Sequence, residues 1–225
     1  MVKRTGMGEV LCIGGYDLSG DIGVIQNAAS PRATMENTGL NKTSIERLLL
    51  RGDGILETNV WFNDAAAQAF PVRKALPTTD TQALWGISST LGDPAAGLVA
   101  KQVNFDWQKR ADGSVEGAVR ALGQGSPLEW GKMLTGGVDT HTGATNGASV
   151  NDLAASAAGL RGYLQVLGVT ALTTVTVVIQ ESSDNGVGDA WTTKLAFAAV
   201  TVARSVERKT ATGSVEQYLR VASSG

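Results

Sequence analysis

A single histidine, His141, stands two residues from Asp139 in a chain of 225 residues, and it is the only imidazole available as a general base. A nucleophilic triad needs a Ser or Cys, that base, and a carboxylate to orient it. Both residues fall in a stretch rich in Thr and Gly, where spacing imposes no mutual orientation, so a solvated loop is expected rather than a catalytic one. Cys12, the one cysteine, lies in the apolar run Val10-Leu11-Cys12-Ile13 and reads as a core residue. One Cys and one His exclude an intramolecular disulfide framework, a cysteine zinc cluster and multi-histidine metal sites.

Other constellations also fail. Gly6-Met7-Gly8 lacks a third glycine and a preceding strand, and no Gly-Lys-Ser/Thr follows a glycine-rich loop. Residues 182–189 carry Asp184 and Asp189 around Asn185-Gly186, but without the alternating oxygen ligands and closing Glu of a calcium loop; a hairpin turn explains them. No carboxylate pair points to glycosidase chemistry. Trp61, Trp85, Trp107 and Trp130 suit either a sugar-stacking platform or ordinary packing and subunit contacts. The expectation is a non-enzyme with no catalytic, cofactor-binding or metal site.

The elements that would position any site are mostly strands. Val103, Phe105 and Trp107 alternate with Asn104, Asp106 and Gln108, Ala111-Asp112-Gly113-Ser114 turns the chain, and Val115, Gly117, Val119 and Ala121 resume the alternation. Val175, Val177 and Ile179 alternate further on. They lead through the turn Ser183-Asp184-Asn185-Gly186 to Trp191, a strand over 194–203 and a closing strand over 215–221. Helix signals are short. Thr43-Ser44-Ile45-Glu46 reads as a capping box opening a two-turn helix with Ile45, Leu48 and Leu49 on one face and Gly52 as its stop. Residues 59–69 and 149–158 are further short helix candidates. The fold class is therefore mainly β, a sandwich or partial barrel of antiparallel strands with one or two short α-helices. The chain is read as one domain over 1–225, and the loop-rich stretch 123–150 is where a sub-module boundary would fall.

Composition narrows the function classes. Lys and Arg total 19 against 21 Asp and Glu, a net charge of −2 that argues against a dedicated nucleic-acid binder. Charged residues are only 18%, which suits a surface covered by copies of itself. Charge is uneven: residues 139–200 carry a net of −3 and residues from 201 onward a net of +2, signs that can pair between copies. Lys3 and Arg4 have no apolar run behind them and no segment approaches ~18 apolar residues, so neither a signal peptide nor a membrane span is expected. The free cysteine fits a soluble chain made in a reducing compartment.

The order of these pieces resembles the major tail (tail tube) proteins of long-tailed bacteriophages. The resemblance runs through Tyr16-Asp17-Leu18-Ser19-Gly20-Asp21-Ile22, Met35-Glu36-Asn37-Thr38-Gly39, Ile45-Glu46-Arg47-Leu48, and Gly52-Asp53-Gly54 before Val60-Trp61-Phe62-Asn63. It continues through Asp112-Gly113-Ser114-Val115, Leu128-Glu129-Trp130-Gly131, Gln180-Glu181-Ser182-Ser183-Asp184, Trp191 and Tyr218-Leu219-Arg220-Val221. It implies a structural virion protein, assembled in the host cytoplasm, whose hexameric rings stack into a hollow tube. Each subunit would lend strands to a β-barrel completed between subunits, with a helix outside. The implied partners are further copies, a tape-measure protein in the lumen, and the tail terminator and baseplate or tail-tip proteins. DNA would pass through without specific binding, and no membrane is involved. The slight acidity suits such a conduit. The alternative is a carbohydrate-binding β-sandwich, which residues 163–220 would also suit; stoichiometry separates the two.

Overall fold

The computed structural model describes residues 7–169 and 174–225. Along the chain the strands are β1 (Val10–Ile13), β2 (Tyr16–Asp17), β3 (Ile22–Ala29), β4 (Arg32–Glu36), β5 (Arg47–Gly52) and β6 (Ile55–Trp61). The short helix α1 (Ala69–Arg73) follows, then β7 (Thr81–Gly86), β8 (Pro94–Gln102), β9 (Asp106–Lys109), β10 (Val115–Gly123) and β11 (Glu129–Lys132). The chain continues with β12 (Thr145–Asn146), β13 (Val150–Asn151), β14 (Leu160–Val166), β15 (Thr176–Ser182), β16 (Thr192–Ala196), β17 (Ser205–Ala211) and β18 (Tyr218–Ser224). The protein is mainly β, and its described strand pairs are antiparallel. Among the described residues no sheet closes on itself into a barrel.

The chain divides into two compact units. The first comprises the described residues up to Ser19, Gln82–Gly97 and Trp130–Gly225; the second comprises Gly20–Thr81 and Leu98–Glu129.

In the first unit, β12, β18, β15 and β16 form a sheet in that order, with β13 also on β18, while β14 and β17 form a ribbon. Sheet and ribbon share a core of Ile179, Leu195, Phe197, Val215 and Leu219, backed by Leu160, Leu164 and Ala211. Gly162 lets the ribbon approach: a Cβ there would stand 2.9 Å from Phe197 Cζ and 3.0 Å from Ile179 Cδ1. Two glutamines tie β14 to the turn between β1 and β2 and to β7. Gln165 accepts from Gly15 N at 2.8 Å and donates to Gln82 O at 3.0 Å, and Gln82 donates to Leu164 O at 3.1 Å.

In the second unit β6 is flanked by β10 and β3 over seven residues or nearly so on each side. Its alternation buries Leu56, Thr58 and Val60. The β9–β10 hairpin pairs Lys109 with Val115 around the expected Asp-Gly turn, in which Ser114 N and Oγ both donate to Asp112 Oδ1. Trp107 lies over Gly117 and joins Phe62, Phe70 and Phe105 in an aromatic cluster beside α1.

The expected helix over 43–49 does not form. Asn37 N donates to Glu46 O at 3.1 Å, and Thr38 Oγ1, rather than Thr43, accepts from Glu46 N at 3.0 Å. The segment runs straight into β5, which pairs with β4, and Ile45, Leu48 and Leu49 are exposed instead of packed. A capping box is a local signal worth about 1 kcal/mol, and a cross-strand ladder outweighs it. The helix candidate over 59–69 is displaced as well. β6 continues to Trp61, Ala67 turns at φ 69°, and the helix starts only at Ala69, whose N–H donates to Asp21 Oδ2 at 2.8 Å. Over 149–158, Val150 and Asn151 pair with β18, Leu153 takes φ 70°, and Ser156 bridges to Val215. The strand expected over 194–203 ends at Ala196, and β18 begins at Tyr218.

Candidate functional site

The structure brings Asp139 and His141 together and adds a third residue. His141 Nε2 lies 3.2 Å from Asp139 Oδ2, and its Nδ1 lies 3.1 Å from Ser223 Oγ. Hydroxyl, imidazole and carboxylate thus form a chain, but two features argue against nucleophilic chemistry. Asp139 is half exposed, so water competes with it for the imidazole. Ser223 is inside β18, opposite Thr145 on one side and Val177 on the other, where backbone N–H groups serve the ladder rather than an oxyanion. The cluster's evident role is to pin the loop before β12 to β18. Sequence spacing gave Asp139 and His141; Ser223 lies 82 residues away and carries no local signal.

Cys12 is buried in β1, and burial first, then the charge of Asp17, pushes its thiol up to about 12, far from a reactive thiolate. The 182–189 segment is a closed turn. Desolvation opposes ionisation of Asp184, but N–H donors of Gly188, Asp189 and Val187 and the Ser182 hydroxyl together outweigh it and hold the carboxyl below its ordinary value. The carboxylate's acceptor sites are filled by its own turn, as a hairpin reading requires. Of Gly6-Met7-Gly8, Gly6 lies outside the described residues, as do Lys3 and Arg4. Among the described residues, no three His, Cys, Asp or Glu side chains gather as metal ligands. No helix of the described residues is long and apolar enough to cross a membrane.

The tryptophans do not form one platform. Trp107 sits in the second unit's aromatic cluster, while Trp85 and Trp130 meet edge to face at 5.7 Å in the first, with Trp85 Nε1 donating to Glu9 at 3.1 Å. Trp61 lies against Gly23, and Trp191 stacks under the Arg220 guanidinium.

The surface with a clear physical demand is the β4–β5 hairpin. Every residue of both strands is exposed. Because strand side chains alternate, Leu48 and Leu50 stand on one face and Leu49 on the other, with exposures of 46%, 47% and 66%. Met35 joins the Leu48 face, and Ile45 and Leu40 extend the apolar surface toward the tip. An open concavity of about 400 Å3 runs beside Ala33, Leu50 and Arg51. Immediately before the hairpin, β3 is the terminal strand beside β6, and its sequence Ile22-Gly-Val-Ile-Gln-Asn-Ala-Ala29 has neither charge nor proline to discourage further pairing. Sequence reasoning missed this surface because it assigned the three leucines to a helix face.

No family model matches the chain, and no curated protein matches it either. Among solved structures, the chain is similar to the Dit (gp 19.1) protein of phage SPP1, described as a paradigm of the hub adsorption apparatus in phages that infect Gram-positive hosts. The identity is 9% and the TM-score 0.33, over 96% of this chain and 98% of that one.

Proposed function

We propose that the chain is a self-assembling structural subunit of a bacteriophage tail, the tail tube protein, rather than an enzyme. The observation that carries this reading is the β4–β5 hairpin, which leaves Met35, Leu48 and Leu50 uncovered on one face and Leu49, among charged residues, uncovered on the other. An isolated two-stranded ribbon is marginal in water, so one with leucines on both sides is built to be covered. A second copy is the occupant that a closed ring or tube supplies. The uncharged edge of β3 supports the same reading, since a barrel completed between subunits removes such edges. The order of sequence motifs resembling tail tube proteins gives the assembly its identity: stacked hexameric rings, a tape-measure protein in the lumen, terminator and tail-tip proteins at the ends. DNA crosses without specific contact, consistent with a net charge of −2.

Sedimentation velocity tests the claim. Wild type sediments as rings or larger species as concentration rises, whereas Leu49→Asp stays monomeric with unchanged circular dichroism. Equal assembly by that variant sinks the hairpin as the contact surface.

A further inference from the structure

Val187, in the turn between β15 and β16, is 88% exposed, and the turn's own side chains fix its backbone. Val187 N donates to Asp184 Oδ1 at 3.0 Å, and Gly188 N donates to Asp184 Oδ2. The buried Ser182 hydroxyl accepts from Gly186 N at 2.8 Å and donates to Asp189 O at 2.9 Å. An apolar side chain held on such a turn has little conformational freedom left to lose on docking. Its surroundings are acidic: residues 183–191 carry Asp184 and Asp189 and no Lys or Arg, a net of −2. Asp184 is saturated by the turn. Among the described residues the Asp189 carboxylate accepts only through Oδ2, from Ser183 N at 2.7 Å, which leaves Oδ1 open. The Arg220 guanidinium is engaged elsewhere, on the Trp191 ring and on Gln180 Oε1.

The second unit carries a surface of the opposite character. Ala33 and Leu50 give the hairpin concavity apolar surface, and Arg51 gives it a cation. Together β4 and β5 hold Arg32, Arg47 and Arg51 against Glu36, a net of +2, and none of the three arginines makes an ion pair among the described residues. The other exposed valines and leucines of the first unit do not match this surface. Leu153 adjoins Asp152, which is paired with Lys132 at 2.8 Å, Val138 adjoins Asp139, which holds His141, and Val202 lies two residues from Arg204. Val187 alone of these is flanked by carboxylates without a cation partner among the described residues.

We propose that the β15–β16 turn of one copy docks into the β4–β5 concavity of another, Val187 against Ala33 and Leu50 and Asp189 against Arg51. The inference rests on the proposed self-assembly and names one of its contacts. The apolar contact supplies affinity, and the opposite charges select the partner and its orientation. Arginine suits the task because its planar fork takes a carboxylate with defined geometry. Turn and concavity are different surfaces, so the contact is head to tail, and its repetition closes a ring or extends a filament.

The test is sedimentation velocity of the full chain over a concentration series, for wild type, Val187→Asp, Arg51→Glu and an equimolar mixture of the two variants. Both positions are exposed, and circular dichroism checks that each variant keeps the wild-type fold; Val187→Ser and Arg51→Gln take their place if either does not. Wild type is expected to associate as concentration rises, and each variant alone to need at least about tenfold more protein to do so. The mixture is expected to form a 1:1 dimer, because one variant keeps an intact turn, the other keeps an intact concavity, and the two altered surfaces, both acidic, repel. Association of either variant alone at wild-type concentrations overturns the proposal. So does a mixture that stays monomeric where wild type associates, which leaves self-assembly itself standing. Association lost in Leu153→Asp but kept in Val187→Asp gives the concavity a different occupant and also overturns it. A wild type that stays monomeric at every concentration removes the self-assembly reading together with this contact.

Discussion

Met35 and Leu48 face one another across the β4–β5 ladder, and both remain about half exposed, at 49% and 46%. A cross-strand apolar pair normally contributes by shielding itself against a third element. Here none of the chain's described residues covers it, so the pair's stabilising contribution is deferred to whatever docks there.

That arrangement fixes the energetic signature of the hairpin. Leu48→Ala should change monomer stability by less than about 0.5 kcal/mol, the range of surface substitutions. A leucine in a packed helix face would cost roughly 2 to 5 kcal/mol. Urea denaturation of the dilute protein decides between them, and assembly of the same variant should fall while its fold persists.

The second unit has a tight spot that tests its sheet end. Gly123 donates to Gly54 O at 2.7 Å, and a Cβ at 123 would stand 2.8 Å from both Gly54 N and Ser126 O. These are backbone atoms that cannot swing aside. Gly123→Ala should therefore destabilise the fold by about 1 to 3 kcal/mol. An unchanged denaturation midpoint would mean that β10 does not end against that loop.

What the sequence made legible follows from how local each signal was. The β9–β10 hairpin was readable because alternation and the Asp112-Gly113 turn are adjacent in the chain. Cys12 was readable because its neighbours in β1 are all apolar. The β4–β5 hairpin was not, since Thr43 and Glu46 satisfy a helix-start pattern locally while the competing bonds come from Asn37 and Thr38. Ser223 beside His141 depends on the placing of β18, which no short window encodes.

Acid should loosen the β15–β16 turn. Asp184's carboxyl is held below the ordinary value of 3.8, so the unfolded chain binds its proton first as pH falls. Its stabilising effect is full above about pH 4. It is lost as pH drops through the lower folded value. The Asp112 turn between β9 and β10 behaves alike, because Ser114 N–H and hydroxyl donate to its carboxylate. Asp184→Asn should reduce stability at pH 7 and flatten the acid limb of a stability–pH curve. A variant that keeps the wild-type slope between pH 4 and pH 2 would show that other carboxylates carry it.

His141→Ala and Ser223→Ala should each leave assembly unchanged, since their bonds pin a loop to β18. Assembly is read by scattering. Complete loss of assembly in His141→Ala alone would give this loop a role beyond pinning.

The central claim is self-assembly into rings and tubes, and negative-stain electron microscopy of the concentrated, purified protein tests it most directly. The account predicts hollow rings or tubes of uniform width that vanish in Leu49→Asp. Strictly single subunits at every concentration, in a sample whose hairpin leucines remain solvent-exposed, would contradict it.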